Sequence, residues 1–133
     1  MSASVKTIVP GRKFYIKIYD KFTMADIAVE YDLICRELAD KTKAVDVLWD
    51  FLDAVNENLA FDTITQLADL LVNRNIHLTA GESVYVIRAG ADKYLADIFI
   101  SHLKQKGFSR KIRLFNDLEQ ARKYLEFPDG ESV

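Results

Sequence analysis

The chain has 133 residues, of which 50% are hydrophobic and 29% are charged, and its net charge is -2 at pH 7. This length suits one domain, and so much apolar content with so little net charge excludes a disordered chain. No apolar run approaches the ~18 residues that a membrane helix needs, and the first residues lack the apolar core of a signal peptide. Cys35 is the only cysteine and cannot form an internal disulfide. We therefore expect one cytoplasmic domain over residues 1–133, ordered from about residue 4 to residue 127.

The chain opens with two predicted strands. Residues 4–9 and 13–19 are rich in β-branched or aromatic side chains. Pro10-Gly11-Arg12 lies between them and suits a tight turn, because proline presets φ and glycine accepts a positive φ. The pattern predicts a hairpin whose second strand presents one apolar face formed by Phe14, Ile16 and Ile18.

Helical periodicity begins at Met24 and continues to residue 41. Thr23 suits the N-cap position, and Glu30 falls on the outer face of this helix. The short apolar run over residues 44–51 predicts a strand buried on both sides. The polar and acidic side chains over residues 52–61 predict a loop. The apolar stripe of the helix consists of Met24, Ile27, Tyr31, Ile34 and Leu38.

The rest of the chain alternates helices and strands. Helices are predicted over 63–75, with a capping box at its start, over 92–106, where Asp92 suits the cap, and after Asn116. Strands are predicted over 83–89 and 111–115. The order β-β-α-β-α-β-α-β-α predicts an α/β fold with a mixed, mostly parallel five-stranded sheet, an N-terminal β-hairpin and about four helices. Its core is expected to include Val47, Trp49, Val86 and Ile112.

Three stretches of the chain carry a family resemblance. Lys21-Phe-Thr-Met-Ala-Asp26 ends a strand and opens a helix, and Val45-Asp-Val-Leu-Trp-Asp50 is a buried strand with an acid at its end. Residues 111–125 form a closing strand followed by a helix that contains Glu-x-Ala-x-x-x-Leu. Over residues 12–126 the chain resembles the SpoIIAA-like branch of the STAS family, the sulfate-transporter and anti-sigma-factor-antagonist domains. The resemblance implies a single bacterial STAS-like domain that acts in regulation or protein interaction.

The resemblance also implies a place for a switch. In the anti-sigma-antagonist members a serine at the start of the second helix is phosphorylated, but residues 50–66 of this chain contain no serine. A phosphate there would suit the helix N-terminus, whereas the neighbouring acids would oppose it. We expect a domain without the phosphoserine switch, in which the candidate phosphoacceptors are Thr63, already explained as an N-cap, and Thr65.

A candidate binding surface follows from the strand order. In open α/β sheets, ligands bind beyond the carboxyl ends of the strands. The residues expected there form the predicted interaction or ligand surface: Asp50, Asp53, Glu57, Arg88 and Asp92. Carboxylates and an arginine could hold a polar ligand or a metal. The alternative is structural: Asp92 and Asn116 cap helices, and Arg88 pairs with an acid. We assign no catalytic residue, cofactor or metal ligand.

A strand that ends in Asp50 is also found in response-regulator receiver domains. Those domains need two further acids after the first strand and a lysine after the last. Here Asp20 stands alone, and residues 114–117 contain no lysine. The Mg²⁺ site and the partner of the phosphoryl oxygen would both be missing. A receiver-like or enzymatic role therefore ranks third.

Charge and aromatic residues bear on the partners. The acid-free stretch between Asp97 and Asp117 suits phosphate, a membrane surface or an acidic partner, including the acidic loop of a second copy. Without interleaved aromatic residues we expect no nucleic acid, and membrane contact at most peripheral. The bases of this stretch are Lys104, Lys106, Arg110, Lys111 and Arg113. A further set of aromatic residues could form an ordinary core or line a site for an apolar molecule: Tyr15, Tyr19, Trp49, Phe51, Tyr85 and Tyr94.

The sequence thus favours a non-catalytic STAS-like regulatory or protein-interaction domain that needs no cofactor. Its expected partner is another protein or a second copy of the chain. The alternative is a small carrier or sensor that binds an apolar or amphiphilic ligand.

Overall fold

The computed structural model describes residues 3–22, 24–40, 42–55, 81–88, 90–107 and 110–127, together with residues 65, 68 and 69. The elements are β1 (Ala3–Val9), β2 (Lys13–Lys21), α1 (Met24–Leu33), a π-helical segment (Ile34–Leu38), β3 (Asp46–Val55), β4 (Glu82–Val86), α2 (Ala91–Gln105), β5 (Lys111–Phe115) and α3 (Leu118–Tyr124). In this part of the chain no helix is long and apolar enough to cross a membrane.

The five strands form one sheet in the order β1-β2-β3-β4-β5. β1 and β2 are antiparallel, and every later pair is parallel. The predicted mixed sheet with an N-terminal hairpin is confirmed. The hairpin turns where Arg12 N donates to Val9 O at 3.0 Å, and Gly11 supplies the positive φ of 74°.

Helices cover both faces of the sheet, as alternation along the strands requires. One face packs Ile16, Val47 and Trp49 against residues of α1 and α2, including Tyr31 and Leu103. The opposite face packs against α3 and the residues after it, with Tyr15, Leu48, Val84, Val86, Ala121, Leu125 and Phe127 buried together. The predicted core positions Val47, Trp49 and Val86 are buried, and Ile112 packs against the first of these clusters.

The first helix becomes π-helical near its end, and the predicted positions of two of its side chains, Leu38 and Glu30, are wrong. Ala39 N donates to Ile34 O at 2.9 Å, which closes a π-helical turn. The wider turn moves Leu38 away from the stripe below Ile34, so Leu38 is 37% exposed. Glu30, expected on the outer face, is buried. Burial and the neighbouring Asp26 raise the pKa of the Glu30 carboxyl.

The third strand is longer than predicted. Residues 52–55 belong to β3 and not to a loop, because β2 also extends and pairs Tyr19 with Asp53 and Lys21 with Val55. A register shift between Lys17 and Tyr19 accommodates an extra residue of β3. Asp50 consequently lies within the strand and not at its carboxyl end.

A buried arginine joins three segments at the amino ends of β4 and β5. Arg110 donates from Nε to Ser83 Oγ and from Nη2 to Glu82 O, both at 2.8 Å, and also to Val45 O. Burial lowers the pKa of its guanidinium. Arg110 was expected in an exposed basic stretch, and that placement is wrong, because the carbonyl oxygens of strand ends supply enough acceptors to bury it.

The helix starts differ from those predicted. Gly90 occupies the N-cap of α2, so that Asp92 is the second residue of the helix. Asp117 caps α3 in place of Asn116, accepting a 3.1 Å bond from Gln120 N at Oδ1. Thr65, Ala68 and Asp69 are helical, in keeping with the predicted helix 63–75. The expected cap Thr23, the capping residue Thr63 and the acid Glu57 lie outside the described residues.

Candidate functional site

A pocket lies at the carboxyl ends of β4 and β5. The two strands are parallel, so both ends reach the same edge of the sheet. The pocket encloses about 300 Å³. Its lining comprises Ile87, Arg88, Lys93, Leu114, Phe115, Asn116 and Gln120. This is the edge at which open α/β sheets bind ligands.

Three local features position these side chains. Ile87 N donates to Phe115 O at 2.9 Å, which extends the pairing of the two strands past the end of β4. At Gly90 a φ of 92° turns the chain into α2, and Lys93 then lies in the first turn of that helix. Gln120 lies in the first turn of α3 and is held by the Asp117 cap. Strand ends therefore form the apolar floor, and two helix starts form the walls.

Two basic side chains, Arg88 and Lys93, stand in the described lining of the pocket. Arg88 Nη2 donates to Ala54 O at 2.8 Å, which links the pocket to the end of β3. Lys93 Nζ lies 2.9 Å from Asp97 Oδ2 one helical turn away, and both side chains are exposed. Exposed pairs of this kind contribute little free energy, so an incoming anion can compete for Lys93.

The start of α2 adds to this potential. Gly90 provides no side-chain hydrogen bond to the first turn of a helix of fifteen residues. A Cβ built at Gly90 would meet nothing within 4 Å, so the glycine also leaves open space beside the helix start. The first amides of a helix carry partial positive charge, which favours an anion nearby.

Among the predicted surface residues, Arg88 lines the pocket and Asp50 does not. Asp50 is buried within β3, where the Tyr15 hydroxyl donates to Oδ2 and Leu52 N donates to Oδ1 at 2.9 Å. Burial, followed by the hydrogen bond to Asp50, raises the pKa of the Tyr15 phenol. Asp50 therefore acts in packing two strands and not in a crevice.

Asp53 also lies outside the pocket. Its carboxylate is exposed on β3 and forms a 3.0 Å ion pair with Lys17 Nζ. The hydrogen bond to Asp53 raises the pKa of the Lys17 ammonium. Asp92 is placed in the first turn of α2, and Thr65 lies in a different helical segment. Of the predicted acids whose side chains the structure describes, Asp50 and Asp53 do not line the pocket.

Sequence reasoning missed Lys93 and Gln120. Each is the third residue of the helix that follows a strand. That position was the available signal, since the helix starts that follow parallel strands border the same crevice. The predicted surface consists mainly of acids, because carboxylates suggest metal and catalytic chemistry.

The described lining of the pocket combines basic, amide and apolar side chains. Its described lining provides two cations, two amides and three apolar side chains, with no acid and no hydroxyl or thiol nucleophile. Over the described residues, no group of three or more His, Cys, Asp and Glu side chains could hold a metal ion.

An aromatic cluster forms a second feature between the sheet and its helices. The centroid of the Trp49 ring lies 5.8 Å from that of Tyr31, 6.3 Å from that of Phe51 and 5.8 Å from that of Tyr85. Tyr15 belongs to the other face, and Tyr94 is 68% exposed, so neither joins this cluster. In the part of the chain that the structure describes, Trp49 Nε1 is the buried side-chain polar atom without a hydrogen-bond partner.

Comparison with known proteins finds no matching family model, no matching curated protein and no matching solved structure.

Proposed function

We propose that the chain is a non-catalytic STAS-like regulatory or protein-interaction domain, and that it binds through the pocket at the carboxyl ends of β4 and β5. The observation that carries this proposal is the described lining of the pocket, where Arg88 and Lys93 stand beside an apolar floor and no described group could serve as nucleophile or base. A site of this composition recognises a ligand and does not transform it.

The elements that carry the sequence resemblance support the STAS-like assignment. The stretch Val45–Asp50 lies in the buried part of β3, and the closing stretch 111–125 contains β5, α3 and the buried Leu125. The hairpin of β1 and β2 precedes three parallel strands, as the element order predicts. Thr65 lies in a helical segment, and residues 50–66 contain no serine. A binding role that does not depend on a phosphoserine is consistent with these observations.

Native mass spectrometry of the chain purified from its own host tests the proposal. We expect a species heavier than the 15.2 kDa chain, because a bound partner or ligand is retained. The double variant Arg88→Glu/Lys93→Glu reverses the charge of the pocket and should lose that species. The control variant Lys104→Glu/Lys111→Glu changes two exposed lysines on α2 and β5 away from the pocket, and it should keep the species.

Two results would contradict the proposal. The first is a wild-type chain that carries no bound species at its host concentration. The second is a bound species that remains unchanged in the pocket variant and is lost in the control.

The aromatic cluster favours a second candidate, a carrier or sensor of an amphiphilic ligand. The unpartnered Trp49 Nε1 is a hydrogen-bond donor surrounded by rings, which suits a ligand that has one acceptor and an apolar body. The same mass measurement separates the two candidates. A species that survives Arg88→Glu/Lys93→Glu but disappears in Trp49→Phe would place binding in the cluster and not in the pocket.

A further inference from the structure

The indole nitrogen of Trp49 lies buried without a hydrogen bond. Trp49 is 2% exposed near the centre of the sheet, where it pairs with Ile16 of β2 and Tyr85 of β4. Over the part of the chain that the structure describes, Trp49 Nε1 has no hydrogen-bond partner. A buried donor that lacks an acceptor lowers stability, and few such groups persist in native proteins. An acceptor on a bound molecule would satisfy this donor.

The rings around Trp49 continue toward solvent. The described neighbours of its ring are the rings of Tyr31, Phe51 and Tyr85. Phe51 also contacts Phe22, with the two ring centroids 5.9 Å apart. Both phenylalanines are only partly buried. A molecule that covers them removes apolar surface from water, which favours its binding. The cluster therefore suits a ligand that is mostly apolar.

The surroundings favour an uncharged ligand. Burial raises the pKa of the Tyr85 phenol, because an ionised group at this position loses hydration. The nearby Arg110 guanidinium opposes that rise by a smaller amount, and it already donates to Ser83 Oγ and to the carbonyl oxygens of Glu82 and Val45. An ionised ligand would lose its own hydration here. A carbonyl or ether oxygen accepts a hydrogen bond without bringing a charge into the core.

A water molecule suits this position less well than an organic ligand. Buried waters are typically held by about three hydrogen bonds to polar groups. Trp49 Nε1 would provide one of them, whereas the described contacts of its ring are made with other rings. A site formed mainly by rings therefore favours a molecule that adds an apolar body to its acceptor.

We infer that the aromatic cluster binds a neutral apolar molecule with one carbonyl or ether oxygen, and that this oxygen accepts a hydrogen bond from Trp49 Nε1. The inference rests on the second candidate function, the carrier or sensor, and names the class of its ligand. It does not involve the pocket at the carboxyl ends of β4 and β5, so the two sites can be tested separately.

NMR of the full chain tests the inference directly, because its single tryptophan gives a single indole N–H signal. One probe is acetophenone, which has a carbonyl oxygen. The other is ethylbenzene, which has the same ring and a substituent of the same length without that oxygen. We expect acetophenone to shift the indole proton downfield. Ethylbenzene should bind without that shift, because it offers no acceptor.

A variant without the donor provides the second measurement. Trp49→Phe keeps an aromatic ring and removes the N–H. Relative to ethylbenzene, acetophenone should bind about fivefold less tightly to Trp49→Phe than to wild type, as expected for the loss of one hydrogen bond. Tyr94→Phe changes an exposed residue outside the cluster and should leave this ratio within about twofold. If Trp49→Phe does not fold, the indole signal of the wild type decides.

Four results would overturn the inference. Three of them are equal indole shifts with both probes, an affinity ratio that is the same in Trp49→Phe and wild type, and no binding of acetophenone. The fourth is magnetisation transfer from a long-lived water to the indole N–H in the ligand-free chain, which would identify water as the acceptor.

A pocket variant separates the inference from the proposed function. Acetophenone should bind to Arg88→Gln/Lys93→Gln as it binds to wild type, and loss of binding in this variant would place the probe in the pocket and overturn the inference. A host-derived species that depends on Arg88 and Lys93 would leave the proposed function standing whether or not acetophenone binds at Trp49.

Discussion

The hydroxyl of Tyr15 donates a hydrogen bond to Oδ2 of Asp50 on the sheet face that packs against α3. Both residues are buried, on neighbouring strands β2 and β3. The contact gives Asp50 a structural role. It also accounts for an acid inside a strand whose other residues are mainly apolar.

We predict that Tyr15→Phe destabilises the fold without affecting the pocket. The substitution removes a donor and leaves a carboxylate oxygen of Asp50 buried, which costs about 1–3 kcal/mol. Urea denaturation measures the change in the free energy of unfolding. Tyr94→Phe is the matched control, because Tyr94 is exposed and should change stability by less than about 0.5 kcal/mol. Equal stability of Tyr15→Phe and wild type would show that this contact does not secure Asp50.

The buried Arg110 should be a main determinant of stability. Arg110→Met removes the donors that serve Ser83 Oγ, Glu82 O and Val45 O, and we expect a loss of about 3 kcal/mol. Lys111→Met changes the exposed neighbouring residue and should alter stability by less than about 0.5 kcal/mol. Thermal unfolding of both variants provides the comparison. A loss in Arg110→Met no greater than in Lys111→Met would refute the role given to the guanidinium.

Gly81 and Gly107 both have a positive φ, but of the two only Gly81 would also place a Cβ against a neighbouring segment. Gly81 has a φ of 94°, and a Cβ there would lie 2.1 Å from Val45 O, which is too close for any relaxation short of moving the strand. Gly107 has a φ of 89° with nothing within 4 Å of a Cβ. We expect Gly107→Ala to cost about 1–2 kcal/mol from the left-handed backbone alone. Gly81→Ala should cost clearly more or prevent folding. Similar stabilities for the two variants would contradict the close approach of Gly81 to Val45.

The pH dependence of stability should reveal the burial of Glu30. Its pKa is raised in the folded state by burial and by Asp26, so the folded chain binds more protons than the unfolded chain from just below the ordinary pKa of 4.5 upward. The stabilising contribution of the Glu30 carboxyl is therefore present at low pH and is lost as pH rises above the ordinary pKa of 4.5. Glu30→Gln should therefore gain stability relative to wild type between pH 4 and pH 7. Glu37→Gln, on the exposed side of the same helical region, is the control. A stability difference between Glu30→Gln and wild type that does not change with pH would contradict this account.

Local patterns were sufficient to predict much of the fold. Pro10-Gly11 marked the hairpin, and the apolar runs around Val47 and Val86 marked buried parallel strands, since such runs reflect burial on both faces. The end of β3 was not predicted, because aspartate is depleted in strands and the pairing of Asp53 with Lys17 depends on the neighbouring strand. The burial of Arg110 depends on carbonyl groups of segments distant in sequence.

The candidate site was predictable in its location and not in its composition. The rule for open α/β sheets placed it at the carboxyl ends of the strands, and Arg88 is indeed there. Lys93 and Gln120 were missed, because their place in the pocket follows from how the first turns of α2 and α3 meet the ends of β4 and β5. The orientation of two helix starts is a tertiary property.

Native mass spectrometry of the chain purified from its own host tests the central claim most directly, since the claim is that the domain holds a partner or ligand at this pocket. The account predicts a bound species in the wild type that is lost in Arg88→Glu/Lys93→Glu and kept in Lys104→Glu/Lys111→Glu. A bound species that is unchanged in the pocket variant would contradict the claim that this pocket is the binding site of the domain.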